Sequence, residues 1–472
     1  MGQNLTGKKI KNTYQWLLHV GATAIGALTK VSLGNGTDSA LSISDSAAKV
    51  DGDLTVTGAV VNEELDAKLS QIVSNGSSEF ASLNAVQGWW SSPLAATYSD
   101  QYADATYVGF ATRNGDWGIL RIDNKTNTHS RTILGHNVID DHNVPVTLQI
   151  PDGRVVAFYA QHANEAKLHY RVSQSANQDD WGEKLEVATS GFATYPCPRI
   201  VNGYIQLWYR TGASSAGQWC QRRLQLATSN ILREDHWTTE ITVYNHEYQT
   251  FYEASTVAEQ WKVFHYQNPI SGTNHDIYYS FIQPTGGILK PGGTQYGNAV
   301  SNVGLPVSDT EGLKAVDAGG GNNSTRLLAA GENSDDKPAI IYCRFDKTGD
   351  GTDGVYYMGN YHSSSAVFNE LSLGSAGLPI DNPASSFYFG GASFNSDNKN
   401  IVYVTRESAG VWTLEALTIA NDLLSIASTE ILKTSGDKLS RPYYNNGRVF
   451  VTVFSAYTSY SNWQGDLEWV EV

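Results

Sequence analysis

The sequence predicts an all-β fold: a seven-bladed β-propeller preceded by a small oligomerising N-terminal stalk region. Three observations support this prediction. The 472 residues include 44 Gly, 12 Trp, 26 Tyr and 14 Phe but only 17% charged residues, which suits strands and turns better than long helices. From about residue 89 onward, short apolar segments alternate with turn dipeptides. These segments also recur at a nearly constant spacing, which is typical of repeated sheets.

The repeated unit consists of an apolar strand, a tight turn and a stronger strand, and a third strand often follows. The first four unit starts are 52 to 55 residues apart, a period typical of propeller blades and about twice that of a β-helix coil. The identified starts are His142, Tyr195, Thr250, Asn302, Asn382 and Leu439. One further unit, Tyr107 to Leu134, precedes them.

Two details of the repeat lead to further expectations. The step after Asn302 is longer and carries the Gly/Asn-rich segment 319–324, which we interpret as an insertion. The last strand, at 466–472, is expected to complete the first blade, because closing the ring removes exposed sheet edges.

Residues 1–85 differ from the remainder, so we predict two domains, 1–85 and 86–472. The first part is small, polar and Gly-rich, with alternating segments such as 40–44 and 53–58. Segments this short cannot bury a core alone, but several copies wound together can. Residues 61–73 are the one convincing helix, with Leu65, Leu69 and Ile72 on a single face. We therefore interpret residues 1–85 as an oligomerising stalk.

Composition also excludes several classes of function. The net charge is −15 without any block of like charges, so we expect no nucleic acid partner. The apolar run at 16–20 is too short to span a bilayer, and we expect no membrane insertion. Cys197, Cys220 and Cys343 can build neither a disulfide framework nor a four-thiolate zinc site. We expect them to be buried free thiols.

Antiparallel pairing within a blade places certain side chains on the same rim. The residue before the first strand and the residue after the second strand must emerge on one face of the ring. In one unit these residues are His142 and His162, and in the next they are Tyr195 and Arg210. His265 occupies the corresponding place in the third unit, where we predict a substrate-binding role.

These residue types suit β-elimination at a uronic acid glycoside. Arg and a protonated His can neutralise the uronate carboxylate, so that the developing enolate-like charge is stabilised in the transition state. Tyr and a second His can transfer protons, a contribution typically worth about 10²–10⁴-fold in rate. The predicted catalytic residues are therefore His142, His162, Tyr195 and Arg210.

The same residues carry a resemblance to a known family. The segments concerned are 140–145 (DDHNVP), 151–154 (PDGR), 159–162 (YAQH), 195–196 (YP) and 209–210 (YR). In type and order they resemble the propeller-type polysaccharide lyases exemplified by ulvan lyases, within the wider class of BNR-repeat proteins. The resemblance implies that His142 and Tyr195 act as the base and acid pair, in an order left open. It also implies that His162 and Arg210 engage the uronate carboxylate.

The residues require no cofactor, and we assign no metal ligands. Lyases of this group can hold a structural metal near the active site with His and Cys ligands. Around His265 and His275 this sequence has Gln267 and no nearby Cys, so the resemblance leaves a structural metal open there.

A second resemblance concerns the N-terminus. Segments 2–10 (GQNLTGKKI), 13–15 (TYQ) and 52–58 (GDLTVTG) are similar to the start of bacteriophage tail fibres and tailspikes. This implies attachment to phage tail proteins, a homotrimeric stalk and a place in the virion. Together the two resemblances imply a depolymerase that acts on an acidic capsule or exopolysaccharide at the host surface.

Two alternatives stay open at the level of sequence. One is a non-catalytic receptor-binding propeller that holds a glycan through aromatic rim residues, with Trp208, Trp219 and Trp261 as candidates. The other is a hydrolytic glycosidase, which needs paired carboxylates. We identify no such pair at matching blade positions.

Overall fold

A computed structural model describes most of the chain beyond residue 103. The described residues are 104–136, 138–162, 164–176, 179–212, 217–226, 233–245, 275–290, 293–307, 313–362, 368–381 and 387–472, with Phe264 and the backbone of the strands at 29–32, 38–43, 48–50, 85–86, 95–99, 250–254 and 261–265 and of residue 367. The predicted helix at 61–73 lies outside them.

The chain divides into two compact units, Met1–Ser77 and Ser78–Val472. In the first unit, three strands pair antiparallel in chain order: Thr29–Ser32, Asp38–Ile43 and Ala48–Val50. The predicted domain boundary after residue 85 stays a prediction, since many residues around it lie outside the described ones.

The second unit is a β-propeller of seven antiparallel sheets, here called blades 1 to 7 in chain order. Blade 1 contains Ala85–Val86, Ala95–Ser99, Asp104–Thr112, Asp116–Asp123 and His129–His136. Blade 2 contains Val146–Gln149, Val155–Tyr159, Lys167–Val172 and Leu185–Ala188. Blade 3 contains Ala193–Val201, Tyr204–Thr211, Gln218–Gln225 and Ile241–Tyr244.

The remaining blades follow the same plan, with extra strands in blade 4. Blade 4 contains Thr250–Ala254, Trp261–His265, Ile277–Ile282, Gly287–Leu289, Gln295–Asn298 and Leu313–Val316. Blade 5 contains Asn323–Glu332, Pro338–Asp346, Val355–His362 and Val367–Ser375. Blade 6 contains Gly391–Phe394, Ile401–Ser408, Val411–Ile419 and Ile426–Ser435. Blade 7 contains Lys438–Leu439, Tyr443–Asn445, Arg448–Ser459 and Asn462–Glu471.

Helical structure is nearly absent from the part of the chain that the structure describes. It consists there of one 3₁₀ turn at Glu234–His236. Among these residues, no helix has the length and apolar character needed to cross a membrane. The all-β prediction is confirmed.

Tight turns fix the register of the hairpins that later position the site. In blade 3, Asn202 and Gly203 have φ values of 51° and 74°, and Tyr204 pairs directly with Val201. A two-residue turn with positive φ at both central residues matches the twist of the strands that it joins, and Asn-Gly adopts this turn readily. Asn202 and Gly203 therefore form the tight turn that the repeat predicts between the first two strands of a unit.

The position of the unit predicted to start at Asn302 is wrong. Asn302 lies in a turn of blade 4, and the first strand of blade 5 begins at Asn323. The extra length belongs to blade 4, whose strand Leu313–Val316 pairs with Ile277–Ile282. Residues 319–322 are not an insertion within a blade but the turn, with glycines at positive φ, that leads into blade 5, and residues 323–324 begin its first strand.

The expected closure by the last strand is also wrong. Asn462–Glu471 pairs with Arg448–Ser459 inside blade 7. Blade 1 has no vacancy for it, because Ala85–Val86 and Ala95–Ser99 already occupy the inner edge of Asp104–Thr112. The first and last blades instead meet through their side chains.

That seam between blades 1 and 7 combines an apolar cluster with polar contacts. Phe110 and Ile122 of blade 1 are buried in one cluster with Phe450 and Trp469 of blade 7. Beside it, Arg448 donates to Asn124 Oδ1 at 2.7 Å and to Asn127 Oδ1 at 3.1 Å. Burying a Phe-sized side chain contributes about 1.5–3 kcal/mol, so a few such contacts can hold the ring closed.

Candidate functional site

The four predicted site residues lie on two neighbouring blades, at the ends of their inner hairpins. His142 precedes Val146–Gln149 and His162 follows Val155–Tyr159 in blade 2. Tyr195 and Arg210 lie on the first two strands of blade 3, where Thr194 pairs with Arg210. The structure therefore brings all four to one rim, as antiparallel pairing predicted.

Tyr195 differs from the prediction in one respect: it lies inside a strand and not before it. The strand begins at Ala193, and its register with Tyr204–Thr211 shifts between Thr194 and Cys197. Tyr195 has φ of 56°, and Pro196 has no N–H to donate to the ladder. These two residues form a β-bulge, a feature that re-aims a side chain beside a functional site.

The aromatic rings of the site form a compact cluster. The imidazoles of His142 and His162 stack with centroids 4.0 Å apart and an interplanar angle of 10°. The Tyr195 ring lies 5.8 Å from His142 and 6.4 Å from His162, centroid to centroid. A sugar ring that contacts one of these side chains is therefore within reach of the others.

Two consecutive aspartates face the stacked histidines. Asp140 Oδ1 lies 2.7 Å from His142 Nδ1, and Asp140 Oδ2 lies 2.9 Å from His162 Nδ1. Asp141 Oδ1 is also 2.7 Å from His142 Nδ1. The backbone N–H of His142 donates to Asp140 Oδ1, and that of His162 donates to Asn143 Oδ1. The loop before blade 2 thus fixes both imidazoles.

The two imidazoles acquire opposite proton affinities from these surroundings. Burial disfavours charge on His142, but the Asp140 and Asp141 carboxylates outweigh it and raise the pKa of His142 to about 9. Burial and the neighbouring His142 charge lower the pKa of His162 to about 4, although Asp140 opposes this. Burial would raise the pKa of Asp140, yet the two histidines hold it below its ordinary value. These surroundings favour the charged form of His142 and the neutral form of His162.

Arg210 is placed more deeply than the sequence suggested. Its side chain is fully buried, with Cζ 4.9 Å from the centroid of the Tyr195 ring. A direct contact with substrate needs a movement of Arg210 or of Tyr195. Without that movement its charge still acts at short range in a medium of low dielectric constant. His162 is the most accessible of the four, with 16% of its side chain exposed.

Sequence reasoning gave Asp140 and Asp141 no role, and it missed two residues of blade 7 altogether. The ring of Tyr460 stands edge-on to His142 and to His162, at 5.6 Å from each centroid. Tyr457 donates its hydroxyl to Asp141 Oδ2 at 2.9 Å, and the N–H of Asp141 donates to the Tyr460 carbonyl at 3.0 Å. No local pattern links residues 316 positions apart; only the closure of the ring brings them together.

We expect the Tyr457→Phe variant to be destabilised by about 1–3 kcal/mol. The substitution keeps the buried ring but removes a hydrogen bond to the buried Asp141 carboxylate, and leaving such a group underpaired carries this cost. Equilibrium unfolding in urea, followed by tryptophan fluorescence, measures the effect. Tyr460→Phe in the same hairpin is the control, since Tyr460 is 44% exposed and is expected to change stability by less than about 0.5 kcal/mol. Equal effects of the two substitutions would contradict the expectation.

His265 is described only by its backbone. It ends the second strand of blade 4, paired with Thr250 and Tyr278, as the repeat predicted. Its side chain lies outside the described residues, so its substrate-binding role stays a prediction.

The described residues do not fit a structural metal near His275. Lys347 Nζ lies 2.8 Å from His275 Nε2, and Ser324 Oγ lies 3.3 Å from Nδ1. An ammonium group thus stands where a cation would have to bind. The three cysteines are buried free thiols, as predicted.

One group among the described residues brings metal-ligand atoms within 4.8 Å of one another, namely Asp140, His142 and His162. There the carboxylate already serves the two Nδ1 atoms as a hydrogen-bond acceptor. We assign no metal to either place.

Comparison with solved structures shows the same fold in polysaccharide lyases. An ulvan lyase of polysaccharide lyase family PL25 has a TM-score of 0.60 and 14% identity, over 84% of this chain and 95% of that chain. The values are the same for that lyase bound to a saccharide of glucuronic acid and 3-sulfated rhamnose. A further polysaccharide lyase gives a TM-score of 0.51 and 11% identity, over 81% of this chain and 90% of that chain. At such identities the likeness shows the fold.

Sequence comparison identifies the family. No curated protein sequence matches the chain. The sequence profile of the BNR repeat-containing family, however, matches residues 96–418, which is more than half of the chain and reaches from blade 1 into blade 6. The chain therefore belongs to the BNR repeat-containing family and folds as a seven-bladed β-propeller.

Proposed function

We propose that this propeller is a polysaccharide lyase that cleaves a uronic-acid-containing polysaccharide by β-elimination. The observation that carries the proposal is the cluster of two stacked histidines, a tyrosine in a bulge and a buried arginine on one rim. It combines proton-transfer groups with positive charge, which is what abstraction of a proton next to a carboxylate requires.

The reaction proceeds within the substrate, and the protein supplies proton transfer and charge. A base removes the proton from the carbon next to the uronate carboxylate, and the electron pair of that C–H bond moves toward the carboxylate. The pair then forms a C=C bond with the neighbouring carbon as its bond to the glycosidic oxygen breaks. An acid protonates the departing oxygen, which gives one unsaturated uronate end and one alcohol. The charges of Arg210 and of one histidine stabilise the enolate-like intermediate.

An acidic glycan as substrate agrees with two observations. The ulvan lyase of similar fold was solved with a saccharide that contains glucuronic acid. In this chain, His142 and Arg210 place positive charge next to Tyr195. His162 and Tyr460 are the most exposed members of the cluster, so we expect the sugar to approach from their side.

A purely glycan-binding propeller is less well supported. Trp208 and Trp219, which we considered as rim platforms, are fully buried in the core and cannot stack on a sugar. The side chain of Trp261 lies outside the described residues. Hydrolysis needs a carboxylic acid that stays protonated near neutral pH, whereas the two histidines hold the pKa of Asp140 below its ordinary value.

We further propose that residues 1–85 attach this lyase to a phage tail as a homotrimer, so that it acts at the host cell surface. The similarity of segments 2–10, 13–15 and 52–58 to tail fibre N-termini supports this placement. Light scattering on the purified full chain tests the trimer. A monomeric mass at micromolar concentration would contradict it.

The lyase activity is tested by the ultraviolet absorbance of the unsaturated uronate product. We expect the absorbance to rise when the full chain is incubated with a uronate-containing polysaccharide, and the rise to disappear in His142→Ala. His136→Ala is the matched control, because that histidine also pairs with an aspartate but is 66% exposed and lies outside the cluster. Binding of the polysaccharide without a rise in absorbance would favour a non-catalytic receptor-binding propeller. New reducing ends without a rise in absorbance would favour a hydrolytic glycosidase.

A further inference from the structure

The aspartate pair at 140–141 gives the stacked histidines an asymmetry that the residue types do not carry. Asp140 accepts from both Nδ1 atoms, one at each carboxylate oxygen, whereas Asp141 contacts the Nδ1 of His142 and not that of His162. All four side chains are largely buried, with exposed fractions of 0–16%. Water therefore screens these contacts little.

We propose that Asp140 and Asp141 are positioning residues that hold the histidine stack in a single arrangement, with His142 as the imidazolium and His162 as the neutral tautomer protonated at Nδ1. The catalytic consequence of this arrangement rests on the proposed lyase function. The arrangement itself can be tested without it.

The charge assignment follows from the groups that face each ring. His142 faces Asp140 and Asp141 of its own loop, His162 of blade 2, Tyr195 of blade 3 and Tyr460 of blade 7. His162 faces one carboxylate oxygen, the rings of Tyr195 and Tyr460, and the positive field of Arg210. Two imidazolium rings stacked at 4.0 Å repel each other, so only one of the two rings is charged. The charged ring is His142, which contacts two carboxylates.

The assignment determines what each Nε2 atom offers to a substrate. In both rings Nδ1–H points at the aspartates, so Nε2 is the other functional nitrogen. His142 Nε2 carries a proton and positive charge, while His162 Nε2 carries a lone pair. In the resting protein His142 can therefore donate a proton or hold a carboxylate but cannot act as a base. Within the base and acid pair implied for His142 and Tyr195, this makes His142 the acid and Tyr195 the base, which accepts the substrate proton as a phenolate beside the charges of His142 and Arg210.

Asp140→Asn tests the contact of one carboxylate with both histidine Nδ1 atoms, and we expect little change in the fold. The amide oxygen can still accept from the backbone N–H of His142, which preserves the local turn. The amide nitrogen replaces the oxygen that faces His162 Nδ1, so His162 must adopt the other tautomer and lose the lone pair at Nε2. We expect kcat to fall, because His162 then presents an N–H at Nε2 where the wild-type ring presents a lone pair.

Asp141→Asn tests whether His142 carries the positive charge of the pair. It removes one of the two carboxylates at His142, so the pKa of His142 falls and the alkaline limit of kcat/KM moves to lower pH by about 1 unit or more. The control is Asp116→Asn, beside the exposed His136, which leaves both site carboxylates and their partners in place. It is not expected to move the alkaline limit. A limit in Asp141→Asn that coincides with the wild-type limit would overturn the proposal.

A second readout does not depend on activity. Ring ¹⁵N shifts of the histidine-labelled full chain at pH 7 are expected to show one imidazolium and one Nδ1–H tautomer at positions 142 and 162, with the tautomer switched in Asp140→Asn. Neutral signals from both residues in the wild type would refute the proposed arrangement even if elimination is observed. The expected signals with no product from any polysaccharide would instead refute the proposed lyase function. If Asp140→Asn does not fold, the wild-type spectrum and Asp141→Asn still decide.

Discussion

Tyr195→Phe is expected to lower the rate of elimination by about 10²–10⁴-fold, the usual contribution of a positioned proton-transfer group. The substitution removes only the hydroxyl. The ring that lies 5.8 Å from His142 and 4.9 Å from Arg210 Cζ stays, and the bulge that holds residue 195 does not depend on the hydroxyl. We therefore expect kcat to fall while KM changes little, measured from the initial rates of product absorbance.

The matched control for this variant lies in the same sheet. Tyr204 also carries an arginine over its ring, with Arg223 Cζ at 5.3 Å from the centroid, but it begins the second strand of blade 3 at the opposite end of the hairpin. Tyr204→Phe should retain the wild-type rate. If Tyr195→Phe keeps more than about a tenth of kcat, a role of the hydroxyl in proton transfer is ruled out, because the loss then falls short of that range.

Gly109→Ala is expected to cost about 3 kcal/mol of stability and to abolish activity as well. Gly109 lies in the strand Asp104–Thr112 of blade 1, and a Cβ placed there would come 1.9 Å from the carbonyl oxygen of Pro145 and 3.0 Å from Val144 Cγ1. A carbonyl of the main chain cannot rotate away as a side chain can, so the loop must move. Overpacking of this kind typically costs 1–3 kcal/mol, and backbone contact places it at the upper end.

The loss of activity has a separate cause. The displaced loop carries Asp140, Asp141 and His142, and displacements of about 1 Å can reduce rates by roughly 10²-fold. Thermal unfolding and the absorbance assay measure the two effects. Gly436→Ala is the control, since a Cβ at Gly436 would contact nothing within 4 Å. Unchanged stability and activity in Gly109→Ala would show that blades 1 and 2 separate more easily than the structure implies.

Local pattern was sufficient to predict which four side chains share a rim. The turns at Pro151-Asp152-Gly153 and Asn202-Gly203 fix the hairpin register, so the ends of their strands follow from the sequence alone. A similar argument placed residue 265 at the end of its strand. Period counting was less reliable in blade 4, because additional strands in one sheet lengthen the step without leaving a distinct signal.

Other features of the site depend on contacts between distant residues or on backbone geometry. Tyr457 reaches Asp141, and Tyr460 reaches the histidines, only because blade 7 packs beside blade 1. The bulge at Tyr195 depends on a positive φ that tyrosine seldom adopts, and the adjacent proline was its one local sign. Asp140 and Asp141 lie within the segment that carries the resemblance. Their role depends on the positions of the two histidine Nδ1 atoms, which the sequence does not show.

The seam between blades 1 and 7 has a consequence for the order of biosynthesis. Chains emerge from the ribosome N-terminus first, so His142 and His162 exist long before Tyr457 and Tyr460 are translated. A nascent chain that stops short of the final hairpin lacks the hydroxyl that donates to Asp141 Oδ2 and the Tyr460 ring that stands edge-on to the imidazoles. We therefore expect the histidine cluster to reach its final arrangement only when synthesis is complete.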